Sequence, residues 1–132
     1  MKKILLLSLF SFLLFSCNHN FFNKKILEVK ATEEFVQGSE DIPLLYGMER
    51  INDEELGFDS SIGSIINTSY VTQLDIQKVK DFYEKTLPQM GWKVVKNSKD
   101  KISFKREKEK LEIEFMMQNK KDIVRFFIYS AL

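Results

Sequence analysis

The first seventeen residues constrain this chain most, because an apolar stretch there ends at the only cysteine in the sequence. Lys2 and Lys3 form a short cationic start, and residues 4–15 carry no charge. A helix needs roughly 20 apolar residues to cross the hydrocarbon core of a bilayer, whereas this stretch has about a dozen. The pattern therefore predicts a signal peptide over residues 1–16 rather than a permanent membrane span.

The residues Leu14, Phe15, Ser16 and Cys17 resemble the lipobox of bacterial lipoprotein precursors. Leucine stands third before the cysteine and a small residue directly before it, while phenylalanine at the middle position departs from the commonest pattern. The resemblance implies a diacylglyceryl group on the Cys17 thiol, cleavage before it and N-acylation of the new amine. Two or three acyl chains anchor a protein stably, since each buried methylene contributes roughly 0.8 kcal/mol. The alternative is a secreted protein with an incidental cysteine.

The same resemblance implies where the mature chain resides. Asn18 is not the aspartate that retains such lipoproteins at the inner membrane, so we expect a lipid-anchored protein of the bacterial envelope, at the outer membrane and facing the periplasm. No cofactor is expected beyond the lipid on Cys17. With that cysteine modified, no disulfide can form within the mature chain, and stability must come from packing.

Charge is unevenly distributed along the chain. Residues 26–75 hold two basic side chains against eleven acidic ones, whereas residues 76–132 hold fourteen basic against eight acidic. This asymmetry has two interpretations: it orients the protein near an anionic surface, or it marks a solvated charged face.

A tether and one domain are predicted after the signal peptide. Residues 18–40 sustain neither helical nor strand periodicity, so we assign residues 17–40 to the lipidated N-terminus and a tether. Residues 41–48 are apolar but broken by a proline and a glycine, which favours an extended segment or turn against the domain. We place a small α+β domain at residues 41–132.

A single helix packed on a mainly antiparallel sheet is predicted, in the order β-β-α-β-β-β-β. Residues 55–59 and 64–72 have the composition of a hairpin. Asp75 can cap the helix that follows, which runs to about Met90, and Gly91 suits the left-handed residue that ends a helix. At 100° per residue, seven side chains lie within an arc of roughly 140° and form the expected buried stripe. The stripe comprises Ile76, Val79, Phe82, Tyr83, Thr86, Leu87 and Met90.

The last predicted strand is apolar on both faces. Either it is central and covered on both sides, or its second face is an exposed patch. The first face contains Val124, Phe126 and Ile128; the second contains Ile123, Phe127 and Tyr129. We take the second face as a candidate interaction face, which either the segment 42–46 of the same chain or a partner surface covers.

Residues 75–92, DIQKVKDFYEKTLPQMGW, resemble an element of small bacterial envelope lipoproteins of no assigned activity. In that element a helix ends with the pattern FYxxxLPxxGW, and an antiparallel sheet follows it. The resemblance supports the predicted fold and localisation, and it implies no catalytic residues. The matching residues are Phe82, Tyr83, Leu87, Pro88, Gly91 and Trp92.

No catalytic constellation is recognisable in the sequence. The only histidine, His19, lies two residues after Cys17, at the expected membrane surface, which argues against histidine catalysis and metal binding. Glu112 and Glu114, or the acidic residues 53–55, could act as paired glycosidase carboxylates. Glu112 and Glu114 fit more simply as the wet face of a strand. Export and alternating charge signs argue against a nucleic-acid partner.

Three functional hypotheses remain open. The first is a non-enzymatic accessory or interaction module held at an envelope membrane, with an envelope protein or a second copy as its partner. The second is a carrier or sensor of a small apolar ligand, which a continuous cavity beneath Phe82, Leu87 and Phe126 would favour and a solid core there would reject. The third, a carboxylate-dependent hydrolase, needs a cleft that joins two carboxylates. We also expect Trp92 and Phe82 to be buried.

Overall fold

Helix α1 (Ile76–Gln89) forms where the sequence combines a capping residue, an apolar stripe and a helix-ending glycine. The computed structural model describes residues 27–51 and 57–131 of the chain. The Asp75 carboxylate accepts hydrogen bonds from two free amides of the first turn. After the helix, Gly91 has a φ of 89°, which glycine adopts without strain. The predicted cap and end of the helix are therefore confirmed.

The strands form one large antiparallel sheet and one small sheet within the described residues. They are β1 (Ala31–Phe35), β2 (Pro43–Leu45), β3 (Met48–Arg50), β4 (Phe58–Ser60), β5 (Gly63–Thr72), β6 (Lys93–Asn97), β7 (Lys101–Arg106), β8 (Glu109–Gln118) and β9 (Lys121–Ala131). The large sheet has the order β3-β5-β9-β8-β7-β6, and β4 pairs with the first residues of β5. Strands β1 and β2 pair separately.

The doubly apolar strand β9 lies in the middle of the large sheet, between β5 and β8. The register places Val71 and Met116 on either side of Ile123, and it places Asn67 and Glu112 on either side of Phe127. Side chains of the neighbouring strands therefore flank Ile123 and Phe127 on one face of β9, while Val124, Phe126 and Ile128 on the other face pack in the core.

The order of elements agrees with the prediction in part. The α+β class, with one helix packed on a mainly antiparallel sheet, is confirmed, as are a hairpin before the helix and four strands after it, although the first strand of the hairpin is Phe58–Ser60 rather than residues 55–59. Three further strands, β1 to β3, precede the hairpin, so the predicted order is incomplete. Strands β2 and β3 have three residues each, and an alternating pattern cannot be recognised over so short a length.

Residues 31–36, which the sequence indicated as part of a tether, belong to the fold. Strand β1 pairs with β2, and Val36 is fully buried in the core. The amide of Gln37 donates a 2.9 Å hydrogen bond to the Tyr70 hydroxyl. The ordered domain therefore begins before residue 41. The sequence pattern missed this because the segment is ordered by contacts with distant residues rather than by its own periodicity.

The core lies between α1, the N-terminal strands and one face of the large sheet. Tyr83 of α1 packs edge-on against Phe126 of β9, with ring centroids 5.5 Å apart. The Tyr83 hydroxyl also donates a 2.8 Å hydrogen bond to the Pro43 carbonyl, and burial raises the pKa of this phenol well above its usual value. The Tyr83 side chain thus connects the helix, the sheet and the hairpin of β1 and β2, which we call the N-terminal hairpin.

The buried face of α1 is rotated relative to the predicted stripe. Val79 and Tyr83 are buried as expected, but Phe82, at one edge of the predicted arc, is only half-buried. Lys80, just beyond the opposite edge, is buried, and its amine donates to the Ser98 carbonyl. A lysine can occupy such a position when its alkyl chain is covered and its amine reaches a polar group.

Arg106 fixes the N-terminal hairpin to the chain that follows the helix. Its guanidinium stacks over the ring of Trp92, 4.2 Å from the ring centroid, and Trp92 is 2% exposed, as predicted. The same guanidinium pairs with the carboxylates of Asp41 and Glu109. The hydrogen bond to Asp41 is the main reason that the pKa of Arg106 is raised. Since Asp41 lies between β1 and β2, this cluster holds the hairpin in place.

Candidate functional site

An open cleft of about 720 Å³ lies at the end of the large sheet where β9 begins. Its walls come from four parts of the chain: the residues before β1, the β2–β3 turn, the end of β5 and the β8–β9 turn. These parts are distant in sequence, so the cleft exists only in the folded chain. Its lining includes Leu27, Tyr46, Met48, Val71, Lys120 and Asp122.

Backbone geometry fixes the wall formed by the β2–β3 turn and β5. Gly47 has a φ of 89°, so any other residue would be strained in this turn. The Thr72 hydroxyl donates a 3.1 Å hydrogen bond to the Gly47 carbonyl and accepts a 3.0 Å bond from the Leu74 amide. These two hydrogen bonds hold the turn against the end of β5.

The lining of the cleft is mixed, because polar side chains such as Glu49, Thr72 and Gln73 lie beside the apolar ones. Met48 is buried, and Leu27 and Val71 are half-buried, so apolar side chains form part of its floor. Lys120 is exposed on the β8–β9 turn, and Asp122 is half-buried beside it. Small-ligand sites usually have a mainly apolar lining with a few placed polar groups, and the lining of this cleft is more polar than that.

The core beneath Phe82, Leu87 and Phe126 is solid, which rejects a carrier or sensor whose sheet and helix enclose an apolar ligand at that place. Leu87 and Phe126 are fully buried, and the ring of Tyr83 contacts the rings of both Phe82 and Phe126 at centroid separations of 5.3 and 5.5 Å. Side chains therefore fill this part of the core. The cleft lies elsewhere because strand ends and turns, rather than the helix face, leave space at the margin of the sheet.

The candidate interaction face lies on the side of the sheet opposite α1. Ile123 is buried there, while Phe127 and Tyr129 are half-buried. The amine of Lys110 lies 5.3 Å from the ring centroid of Tyr129 and covers part of it. Side chains of the neighbouring strands therefore cover much of this face, and its binding to a partner stays a prediction.

The segment 42–46 does not cover that face, contrary to one of the two expectations. Ile42 and Leu45 are buried in the cluster that contains Tyr83 and Phe126, on the side of α1. The Tyr83 hydrogen bond to Pro43 places the segment there as well. The reason is that the groove beside the helix offers more apolar surface than the charged outer face of the sheet.

The carboxylates of Glu112 and Glu114 are occupied by lysine partners on the outer face. Lys101 lies 2.7 Å from Glu112 and 3.4 Å from Glu114, and Lys110 lies 2.6 Å from Glu112. The hydrogen bond from Lys101 is the main reason that the pKa of Glu112 is lowered. A carboxyl group held ionised is poorly suited to donate a proton as a general acid.

Several predicted residues lie outside the described part of the chain, namely Cys17, His19 and the acidic residues 53–55. Within residues 27–51 and 57–131, no helix has the length and hydropathy needed to cross a membrane. The same ranges contain no cluster of three or more histidine, cysteine or acidic side chains placed to bind a metal.

The sequence interpretation missed the cleft altogether. Its lining residues are individually ordinary, and no motif connects Leu27 with Val71 or with Lys120. The structure has a two-residue turn at Asn119 and Lys120, with φ angles of 52° and 62°, where an Asn-Gly pair is usual. Because lysine occupies the second position, the sequence lacks the Asn-Gly signal that would have marked this turn.

Comparisons with known proteins give one match. A search of curated proteins finds no match to the chain, and a search of solved structures likewise finds none. A family model described as START domain-like matches residues 54–121, a region that includes β4 to β8 and α1. This region covers just over half of the sequence, and the chain therefore belongs to the START domain-like family.

Proposed function

We propose that this protein is a non-enzymatic binding module that binds a small amphipathic ligand in the cleft at the end of the large sheet, which we call the end cleft. The cleft carries the proposal, because it brings apolar and charged side chains from four chain segments around one space. Membership of the START domain-like family fits a ligand-binding role. The volume of about 720 Å³ lies within the range of small-molecule sites, roughly 300 to 1,000 Å³.

The chemistry of the lining suggests how such a ligand binds. An apolar chain would contact Leu27, Met48 and Val71, where it displaces water from carbon surface. A polar or charged end would remain at the rim, within reach of Lys120 or Asp122. Since the rim has both signs of charge, the lining does not select between an anionic and a zwitterionic end.

We further propose that the module is held at a bacterial envelope membrane, at its outer membrane, through lipid on Cys17. The support is the lipobox resemblance of residues 14–17 and the short chain between Cys17 and Leu27. A span of about ten residues reaches at most roughly 35 Å. The cleft would therefore stay near the membrane from which an apolar ligand could come.

An interaction module remains the second candidate, and a specific feature favours it. Phe58, Ile65 and Tyr129 lie side by side on three adjacent strands of the outer face, and Phe58 is 71% exposed. Exposed apolar rows of this kind often mark protein interfaces. Dimerisation that Phe58→Lys abolishes without unfolding the chain would favour this candidate, with an envelope protein or a second copy as partner.

The ligand proposal is tested with a fluorescent fatty-acid probe whose emission rises in apolar surroundings. Val71→Trp should fill the cleft and weaken probe binding at least about tenfold, a loss of 1.4 kcal/mol. Ile65→Trp is the matched control, because both residues lie on the same face of β5 and only Val71 lines the cleft. Equal binding by both variants would contradict the proposal. Native mass spectrometry of the purified protein should show a co-purifying small molecule.

A further inference from the structure

Basic and exposed apolar side chains gather at the end of the sheet that carries the cleft. Lys120 lies in the β8–β9 turn and Lys121 is the first residue of β9, and both are exposed. Beside them Met117 is 73% exposed, and Tyr46 on the β2–β3 turn is 70% exposed. We refer to these four residues as the basic end.

The basic end is also where the described chain approaches its N-terminus. Leu27 lines the same cleft as Tyr46 and Lys120, so the chain toward Cys17 leaves from this end. Strand β9 has 11 residues, which at about 3.3 Å per residue makes the sheet roughly 35 Å long. The opposite end of the sheet, where Gly63 pairs with Ala131, is therefore far from the point of departure.

The chemistry of the basic end matches that of an anionic bilayer surface. Lysine side chains near such a surface gain roughly 1 kcal/mol each from the negative lipid headgroups. Tyrosine and other amphipathic side chains are enriched where headgroups meet hydrocarbon. Glu49 and Asp122 also line the cleft, and Glu28 is exposed beside Leu27; Lys120 lies at the tip of the β8–β9 hairpin, beyond the last paired residues Gln118 and Lys121.

The backbone of the hairpin tip adds an independent observation. Asn119 and Lys120 both have positive φ angles, as a two-residue type I′ turn requires, and glycine is favoured at the second position. Lysine there carries a conformational cost that glycine would not. Lysine at this position thus supplies a positive charge but lacks the conformational freedom that glycine would have there.

We propose that the basic end is a docking surface for anionic phospholipid headgroups, which holds the mouth of the cleft against the membrane that carries the lipid anchor. The inference rests on the proposed anchor and deepens the proposed function, because it specifies how the cleft is presented to the bilayer. The lipid on Cys17 attaches the protein to the membrane at one point, and the contacts of Lys120 and Lys121 with the headgroups determine how the domain is oriented.

The experiment uses the mature lipoprotein reconstituted in vesicles, with one environment-sensitive fluorophore attached to an introduced cysteine. Met117→Cys places the label at the basic end, and Ile62→Cys, at an 81% exposed residue of the β4–β5 turn, places it at the opposite end. A thioether at Cys17 leaves no other thiol to label. The vesicles contain phosphatidylcholine alone or phosphatidylcholine with phosphatidylglycerol.

The expected result is a blue-shifted emission at position 117 in phosphatidylglycerol vesicles, quenched by nitroxide lipids at least twofold more than at position 62. Lys120→Gly with Lys121→Gln should abolish that difference, and Lys120→Gly should leave the urea midpoint unchanged or higher. The matched control is Lys105→Gln with Lys108→Gln, which removes the same charge elsewhere and should preserve the difference. High salt should reduce the signal.

Three results would overturn the inference: equal quenching at both positions, no response to phosphatidylglycerol, or no effect of the Lys120 and Lys121 changes. Labelling of the parent protein at Cys17 would show a free thiol and would remove the anchor on which the inference rests. Fatty-acid probe binding is measured on the same samples. Retained probe binding without docking overturns the docking surface alone and leaves the proposed ligand site standing.

Discussion

Truncation of Trp92 tests the packing that joins the helix end to the N-terminal hairpin. The side chain is 2% exposed, and the Arg106 guanidinium lies 4.2 Å from its ring centroid. Trp92→Ala removes this ring from a closed site and leaves a cavity, which for buried aromatics costs about 3 to 5 kcal/mol. Phe82→Ala should cost only about half as much, because that ring is half-buried at the edge of the helix face.

The assay is urea denaturation followed by far-ultraviolet circular dichroism, since Trp92 is the only tryptophan and its fluorescence is lost with it. Trp92→Phe is the matched control: the indole Nε1 has no hydrogen-bond partner among the described residues, so its removal leaves no acceptor unsatisfied. We expect that control to lose about 1 kcal/mol. A loss below about 1 kcal/mol for Trp92→Ala, or an equal loss for Phe82→Ala, would refute this account of the core.

Three further predictions concern the anchor, the helix and the outer face of the sheet. Cys17→Ala should abolish palmitate labelling and leave an uncut precursor; labelled palmitate in that variant would contradict the lipoprotein proposal. Tyr83→Phe should lower the free energy of unfolding by about 1 to 2 kcal/mol, because it leaves the Pro43 carbonyl without its buried donor; an unchanged urea midpoint would argue against this bond. Glu112 has a pKa below its usual value when folded, so its pairing with Lys101 stabilises the protein at neutral pH and is lost as the pH falls below about 4.5. Glu112→Gln should therefore make stability less dependent on pH in that range, and an unchanged acid-denaturation profile would contradict the assigned pairing.

The regular elements with strong local patterns were predictable from the sequence. Asp75, the apolar spacing of α1 and Gly91 specify the helix and its ends, because capping and backbone geometry are local properties. Alternation around Ile113 and the doubly apolar pattern around Phe126 indicate the strands that pair at the centre of the sheet.

The N-terminal strands and the cleft were not predictable, because tertiary contacts determine both. Val36 follows Phe35 in an otherwise polar segment, which the Gln37 hydrogen bond to Tyr70 and the Asp41 pairing with Arg106 hold against the domain. Lys80 shows the same limit on α1, since only the position of the Ser98 carbonyl makes its burial acceptable. A single sequence contains no local signal for such contacts.

The central claim, that the end cleft binds an amphipathic ligand, is tested most directly by photocrosslinking. A fatty acid with a diazirine near the end of its chain is incubated with the purified mature protein, irradiated, and its attachment sites are mapped by mass spectrometry of peptides. The proposal predicts crosslinks at Leu27, Met48 or Val71, competed by excess unlabelled fatty acid and lost in Val71→Trp. Crosslinks confined to the outer face around Phe58 and Tyr129, or none that unlabelled fatty acid competes, would contradict it.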